Sequence, residues 1–163
     1  MTIDVNIKDV SAVVQAAVQK HGTTRDALIP ILTDVNDELG YLTPAAMSEI
    51  SRSLRVAGSQ LYETASFYRM LSTKPHGEHV VQFCESAPCH VMGGRKILPV
   101  LKEVLGLEPG QTSADGKWTL LTVSCPGVCG VGPVMMVDDE VYGNLTPERI
   151  ADILAGYAEG GQA

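Results

Sequence analysis

Over roughly the first seventy residues the apolar positions recur at three- and four-residue spacing, and after that their rhythm changes. Ile7, Val10, Val13, Val14, Ala17 and Val18 share one face of a helix that His21-Gly22 ends. Thr23 or Thr24 is placed to cap a second helix whose apolar face runs through Leu28, Ile31, Leu32, Val35 and Leu39. Pro30 belongs near its start, because deeper in a helix a proline costs about 3 kcal/mol, and Gly40 is its stop. Thr43-Pro44 has the order of a cap followed by proline at the first helical position, continued by Met47, Ile50 and Leu54. Ser59 is placed to cap a short helix through Leu61 to Phe67. Together these predict a small helical bundle.

Lys74-Pro-His-Gly-Glu78 is a polar, turn-forming stretch and marks a boundary, giving an N-terminal bundle over 1–75 and a second domain over 76–163. Val80 to Phe83 reads as a buried strand. A helix follows Gly93-Gly94, with Ile97, Val100, Leu101, Val104 and Leu105 on one side. Glu108 to Gly116 is a loop by composition, and Trp118 to Val123 is a second strand. Val134–Val137 and Glu140–Tyr142 flank Asp138-Asp139 as a hairpin. Thr146-Pro147 opens a last helix to about Tyr157, and the glycine-rich end from Glu159 reads as a frayed tail. A first pair of strands joined by a crossover helix, then a hairpin and a closing helix, is the plan of a thioredoxin-like α/β domain.

The bulk numbers narrow the classes. With 45% hydrophobic residues the chain is an ordinary globular one. A net charge of −7 and the lack of a basic stripe argue against nucleic-acid binding. No window approaches the roughly 20 apolar residues that cross a bilayer, so no direct membrane insertion is expected. Met1-Thr-Ile-Asp-Val lacks the basic and apolar regions of a secretory signal. A cytoplasmic location is the expectation, and there cysteines are more often ligands or inert core residues than disulfides.

The chain has four cysteines, arranged as C-x4-C (Cys84, Cys89), a gap of 35 residues, then C-x3-C (Cys125, Cys129). Each pair begins within two residues of the end of a predicted strand. If those strands are neighbours, both loops leave the same edge and all four sulfurs can converge. Glycine and proline crowd the loops, letting backbone N–H groups approach sulfur and stabilise its charge. Four thiolates suit an iron–sulfur cluster or a structural zinc. The long bites favour a two-iron rhomb, in which each pair chelates its own iron, over zinc; the tight C-x2-C-x2-C run common for a cubane is absent.

Other candidates read as structural. His90 follows a cysteine but is expected to be exposed or hydrogen-bonded rather than a ligand. His76 and His79, at the boundary, are expected to be solvated, and Met135-Met136 to be core or sheet-face residues. No Ser/His/Asp, Cys/His or paired-carboxylate arrangement is legible, so no catalytic residue is expected on this chain.

Three stretches carry a wider resemblance. They are Cys84 to Cys89 with His90-Val-Met-Gly93, then Cys125-Pro-Gly-Val-Cys-Gly-Val-Gly-Pro-Val134, then Val141-Tyr-Gly-Asn-Leu-Thr-Pro147. With Leu61-Tyr-Glu-Thr-Ala-Ser-Phe-Tyr68 upstream, the chain resembles the thioredoxin-like [2Fe–2S] ferredoxins over residues 7 to 158. That family includes the 24-kDa component of NADH:quinone oxidoreductase (complex I) and small subunits of NAD(P)-linked hydrogenases and formate dehydrogenases. Ser86, Glu63 and Gly132 depart from its usual residues, and Pro126 and Val128 are bulkier, but no cysteine is lost. The resemblance implies one [2Fe–2S] cluster on Cys84, Cys89, Cys125 and Cys129. It also implies single-electron exchange with a partner subunit that binds FMN and NAD(P)H, beside further iron–sulfur or catalytic subunits. A zinc-stapled adaptor without redox role is the alternative, while a thiol oxidoreductase would need the C-x-x-C that is missing.

Overall fold

The computed structural model describes residues 9–158. Ile7 and the glycine-rich tail lie outside them. The chain forms two compact units, Met1–Pro75 and His76–Ala163.

Among the described residues, four α-helices build the first unit: α1 (Val10–His21), α2 (Leu28–Leu39), α3 (Pro44–Leu54) and α4 (Gly58–Phe67). Asp9 caps α1 by accepting the Ser11 N–H, and Thr43 caps α3 by accepting that of Ala46, with Pro44 in the first turn. Gly40 ends α2 in the left-handed conformation (φ 77°). Between the first two helices Thr24 leads into a 3-10 turn, Arg25–Ala27, with no side-chain cap bond, so the helix it was expected to cap starts later, at Leu28. Ser59 is not the cap of α4: Ala57 holds that position and Ser59 lies inside the first turn. Val14, Ile31, Leu32, Val35, Leu42, Ile50 and Leu61 are fully buried in one core, each worth about 1.5–3 kcal/mol of burial. Asn36, a largely buried polar residue, accepts the Ser72 N–H on its side chain at 2.8 Å.

The second unit is a five-stranded sheet with two long helices. Its strands are β1 (His79–Cys84), β2 (Gln111–Thr112), β3 (Trp118–Val123), β4 (Met135–Val137) and β5 (Glu140–Tyr142), in the spatial order β2-β3-β1-β4-β5. A short helical turn, α5 (Ala87–Cys89), precedes the crossover helix α6 (Arg95–Leu105), and α7 (Pro147–Ala158) closes the chain. β1 and β3 are parallel, with Cys84 opposite Val123, and β4 pairs antiparallel with both β1 and β5. Val81 and Phe83 of β1, with Leu120, Met135 and Val137, meet Ile97 and Leu101 of α6 and Ile150, Leu154 and Tyr157 of α7 in a second core. Alternation along β1 thus places its odd positions inside.

Further expectations are corrected. The loop over 108–116 contains the edge strand β2, paired antiparallel with β3. Val104 is 47% exposed, because the buried residues of α6 are Ile97 and Leu101, with Leu105 partly buried beside them, and Val104 is left at the margin. His79 is not solvated: it is in β1, its ring packs near Trp118 and Tyr157, and its Nδ1 lies 2.8 Å from Asp138 Oδ2. His76 is half-buried too, and burial lowers its pKa. Among the described residues no helix is long and apolar enough to cross a membrane.

Candidate metal centre

Because β1 and β3 are parallel neighbours, the chain leaves both at the same edge of the sheet, and each exit carries two cysteines. Cys84 is the last residue of β1. Its N–H donates to the Val134 carbonyl at 3.1 Å, and the next N–H, of Glu85, reaches the Val123 carbonyl at 3.1 Å, so the first loop starts from a fixed point. Cys89 ends α5, from which a π-turn over His90–Gly94 carries the chain into α6. Gly94 is needed in that turn: a Cβ there would lie 2.8 Å from the Cys89 carbonyl oxygen. Cys84 and Cys89, each 1% exposed, form a small buried cluster with Val134.

The second pair is on the outside. Cys125 is exposed and Cys129, opening the 3-10 turn Cys129–Val131, is partly so. Their sulfurs are 3.1 Å apart. Gly127, at φ 92°, turns the loop so that its N–H donates to Cys125 Sγ at 3.3 Å, a conformation that a side chain would strain. The loop ends at a cis Gly132–Pro133 bond and is stitched to the segment before α7. Asn144 N–H donates to the Val131 carbonyl at 2.5 Å and Leu145 N–H to that of Pro133 at 3.2 Å. Gly143 sits so close that a Cβ would be 2.7 Å from Val131 Cγ2.

The four thiols are free of disulfides and sense one another. Burial, and then a hydrogen bond with Cys84, pushes Cys89 up to about 11, partly offset by a backbone hydrogen bond from Val134. Bonding with Cys129, and then the Gly127 N–H, holds Cys125 below the ordinary thiol range, and Cys129 is raised in exchange. Cys84 contributes to the shift of each of the other three. Chemically this is a set of four soft donors in two pairs, with backbone N–H groups aimed at sulfur, which suits iron or zinc bound by thiolate. Among the described residues no three His, Cys, Asp or Glu side chains are gathered about a single point, so the fit rests on the two pairs.

His90 is exposed, and Arg95 Nε donates to its Nε2 at 2.5 Å. Met135 is fully buried and Met136 half-buried. The sequence singled out the four cysteines by residue type and spacing. Val134, which closes the buried pair, and Met92, whose sulfur shares the neighbourhood of Gly132 with that of Cys89, stand inside the stretches that carry the resemblance, but the sequence assigned neither a place in the site, because that place depends on how two distant loops meet.

The sequence profile of the thioredoxin-like [2Fe–2S] ferredoxins matches residues 14–158. The chain is 37% identical over 133 residues to the E chain of the NADH-quinone oxidoreductase of Escherichia coli (strain K12), covering 82% of this chain and 80% of that one. It is 34% identical over 144 residues to a second such E chain, from the NADH-quinone oxidoreductase of Rhizobium meliloti (strain 1021), covering 88% and 86%. Among solved structures it is similar to an air-oxidized NAD+-reducing [NiFe]-hydrogenase, with TM-score 0.68 and 20% identity over 78% of this chain. It spans only 22% of that hydrogenase chain, and the likeness is one of fold.

Proposed function

Because the chain belongs to the thioredoxin-like [2Fe–2S] ferredoxin family, we propose that Cys84, Cys89, Cys125 and Cys129 hold one [2Fe–2S] cluster and that the chain is an electron-transfer subunit of an NAD(P)-linked oxidoreductase. The observation that carries this reading is that two cysteine pairs leave the same end of the parallel β1–β3 pair, one pair buried and the other at the surface. The first pair and the second each supply two thiolates, as a two-iron centre requires. When bound, such a cluster accepts and returns one electron at a time, which is the form in which a reduced flavin must pass on the two electrons of a hydride.

The residues of this chain have three tasks. Cys84 and Cys89 anchor the centre on the buried side, where Val134 keeps water away. Cys125 and Cys129 present it to the surface. The Gly127 N–H stabilises negative charge on the Cys125 sulfur. The partner that fits this role binds FMN and NAD(P)H. The host is a complex I-like enzyme, an NAD-linked hydrogenase (electron-bifurcating types included) or a formate dehydrogenase, so this chain alone should not oxidise NADH.

Aerobically purified protein should be reddish-brown, bleach with dithionite and carry about two irons and two sulfides per chain. Colourless protein with stoichiometric zinc would overturn the proposal in favour of a structural adaptor.

A further inference from the structure

Gly132 has a backbone conformation (φ −61°, ψ 157°) that any residue adopts, so torsion does not demand glycine there. Space does. A Cβ on residue 132 would lie 3.1 Å from Met92 Sδ and 3.4 Å from Cys89 Sγ. The thioether and the buried thiol therefore lie against the same point beside Gly132, which has no room for a methyl unless the Met92 side chain shifts. Met92 is brought there by the π-turn, with Gly93 at φ 115° directly after it and Gly94 pressed against the Cys89 carbonyl. It is 49% exposed, so the side chain whose sulfur shares the Gly132 neighbourhood with the Cys89 sulfur also meets solvent.

We infer that Met92 sets the reduction potential of the centre by keeping water away from the Cys89 sulfur, an inference that rests on the proposed [2Fe–2S] cluster. An added electron increases the negative charge shared by the thiolate sulfurs. Water close to a sulfur stabilises that charge, and so does a backbone N–H such as that of Gly127. A methionine sulfur has no proton to donate and is only a weak acceptor. Where it replaces water it makes reduction harder. Met92 acts through Cys89 and is a shielding residue, with no part in binding the metal.

The test is a dye-mediated redox titration of the purified, cluster-loaded chain, followed by electron paramagnetic resonance, with deuterium coupling read after exchange into heavy water. M92S should move the potential to a more positive value and increase the deuterium coupling. M92L, which keeps the apolar bulk without the sulfur, should leave both near wild type. In the double variant M92S/G132A the alanine methyl occupies the vacated space and should bring the potential back toward wild type. A loaded M92S with unchanged potential overturns the inference alone, as does an M92L that shifts as far as M92S. A wild type that shows no [2Fe–2S] signal on reduction overturns the proposed function and this inference with it.

Discussion

Burial keeps the proton on Cys89 and pushes that thiol up to about 11, with Cys84 adding to the effect. On the exposed side Cys129 and the Gly127 N–H draw Cys125 the other way. Since the thiolate is the nucleophile, the two differ in reactivity as well as in access. In iron-free protein at about pH 8, iodoacetamide should therefore modify Cys125 first and Cys89 last, read by mass spectrometry of tryptic peptides. The sign of the pH effect follows. Cys125, held below the ordinary thiol range, ionises before Cys89, which stays protonated until the pH nears about 11, so the gap narrows as pH rises toward that value. Equal rates near neutrality would contradict this account. The division was not legible in the sequence: the four cysteines stand out by type and spacing, but which pair is buried depends on Val134, which is remote from the first pair in the chain.

Among the elements, the β4–β5 hairpin shows where general turn rules give the wrong answer. Asp138 has φ 54°, a conformation that glycine adopts without strain. Its carboxylate, however, reaches back to β1, accepting the Val80 N–H on Oδ1 at 2.8 Å and meeting His79 Nδ1 on Oδ2 at 2.8 Å. Asp138→Gly relieves the backbone but leaves a partly buried N–H without its acceptor. It should therefore lower stability by about 1–2 kcal/mol in urea denaturation; an unchanged or higher midpoint would show that the carboxylate contributes nothing. The same contact explains why His79 was misread. Beside the polar Lys74–Glu78 stretch it looks like a surface residue, and its partner lies far along the chain. Strands β1, β3, β4 and β5 were legible as short apolar runs bounded by turn-forming residues. The edge strand β2 was not, since Gln111 and Thr112 are both exposed and it pairs through backbone groups that any residue supplies. At Ser59 the cap rule found the right kind of residue, but the chain enters the helix earlier, at Gly58.

For the whole molecule, the division into two units separates what the cluster supports from what it does not. The bundle core, from Val14 to Leu71, contains no cysteine, while all four belong to the unit that starts at His76. A group that binds only the folded state stabilises the part of the chain that holds it. Stripping iron with a chelator under reducing conditions should then lower the stability of the second unit by on the order of several kcal/mol. Hydrogen exchange should speed up at residues 84–89 and 125–133 and stay unchanged in α1 to α4. Equal loss of protection in the bundle would show that the units do not respond separately.

The stitching of the second cysteine loop to residues 143–145 bears on speed. Exposed loops are usually the mobile parts of a protein, and a metal centre hung on one would have to relax each time its charge changed. Here the Val131 and Pro133 carbonyls are tied to Asn144 and Leu145, and Gly143 permits the close approach behind Val131. The outward pair of thiols is thus on the surface without being loose. Ligands already fixed where both charge states need them keep the reorganisation energy of electron exchange small. A site built in this way is open to a partner on one side and stiff on the other.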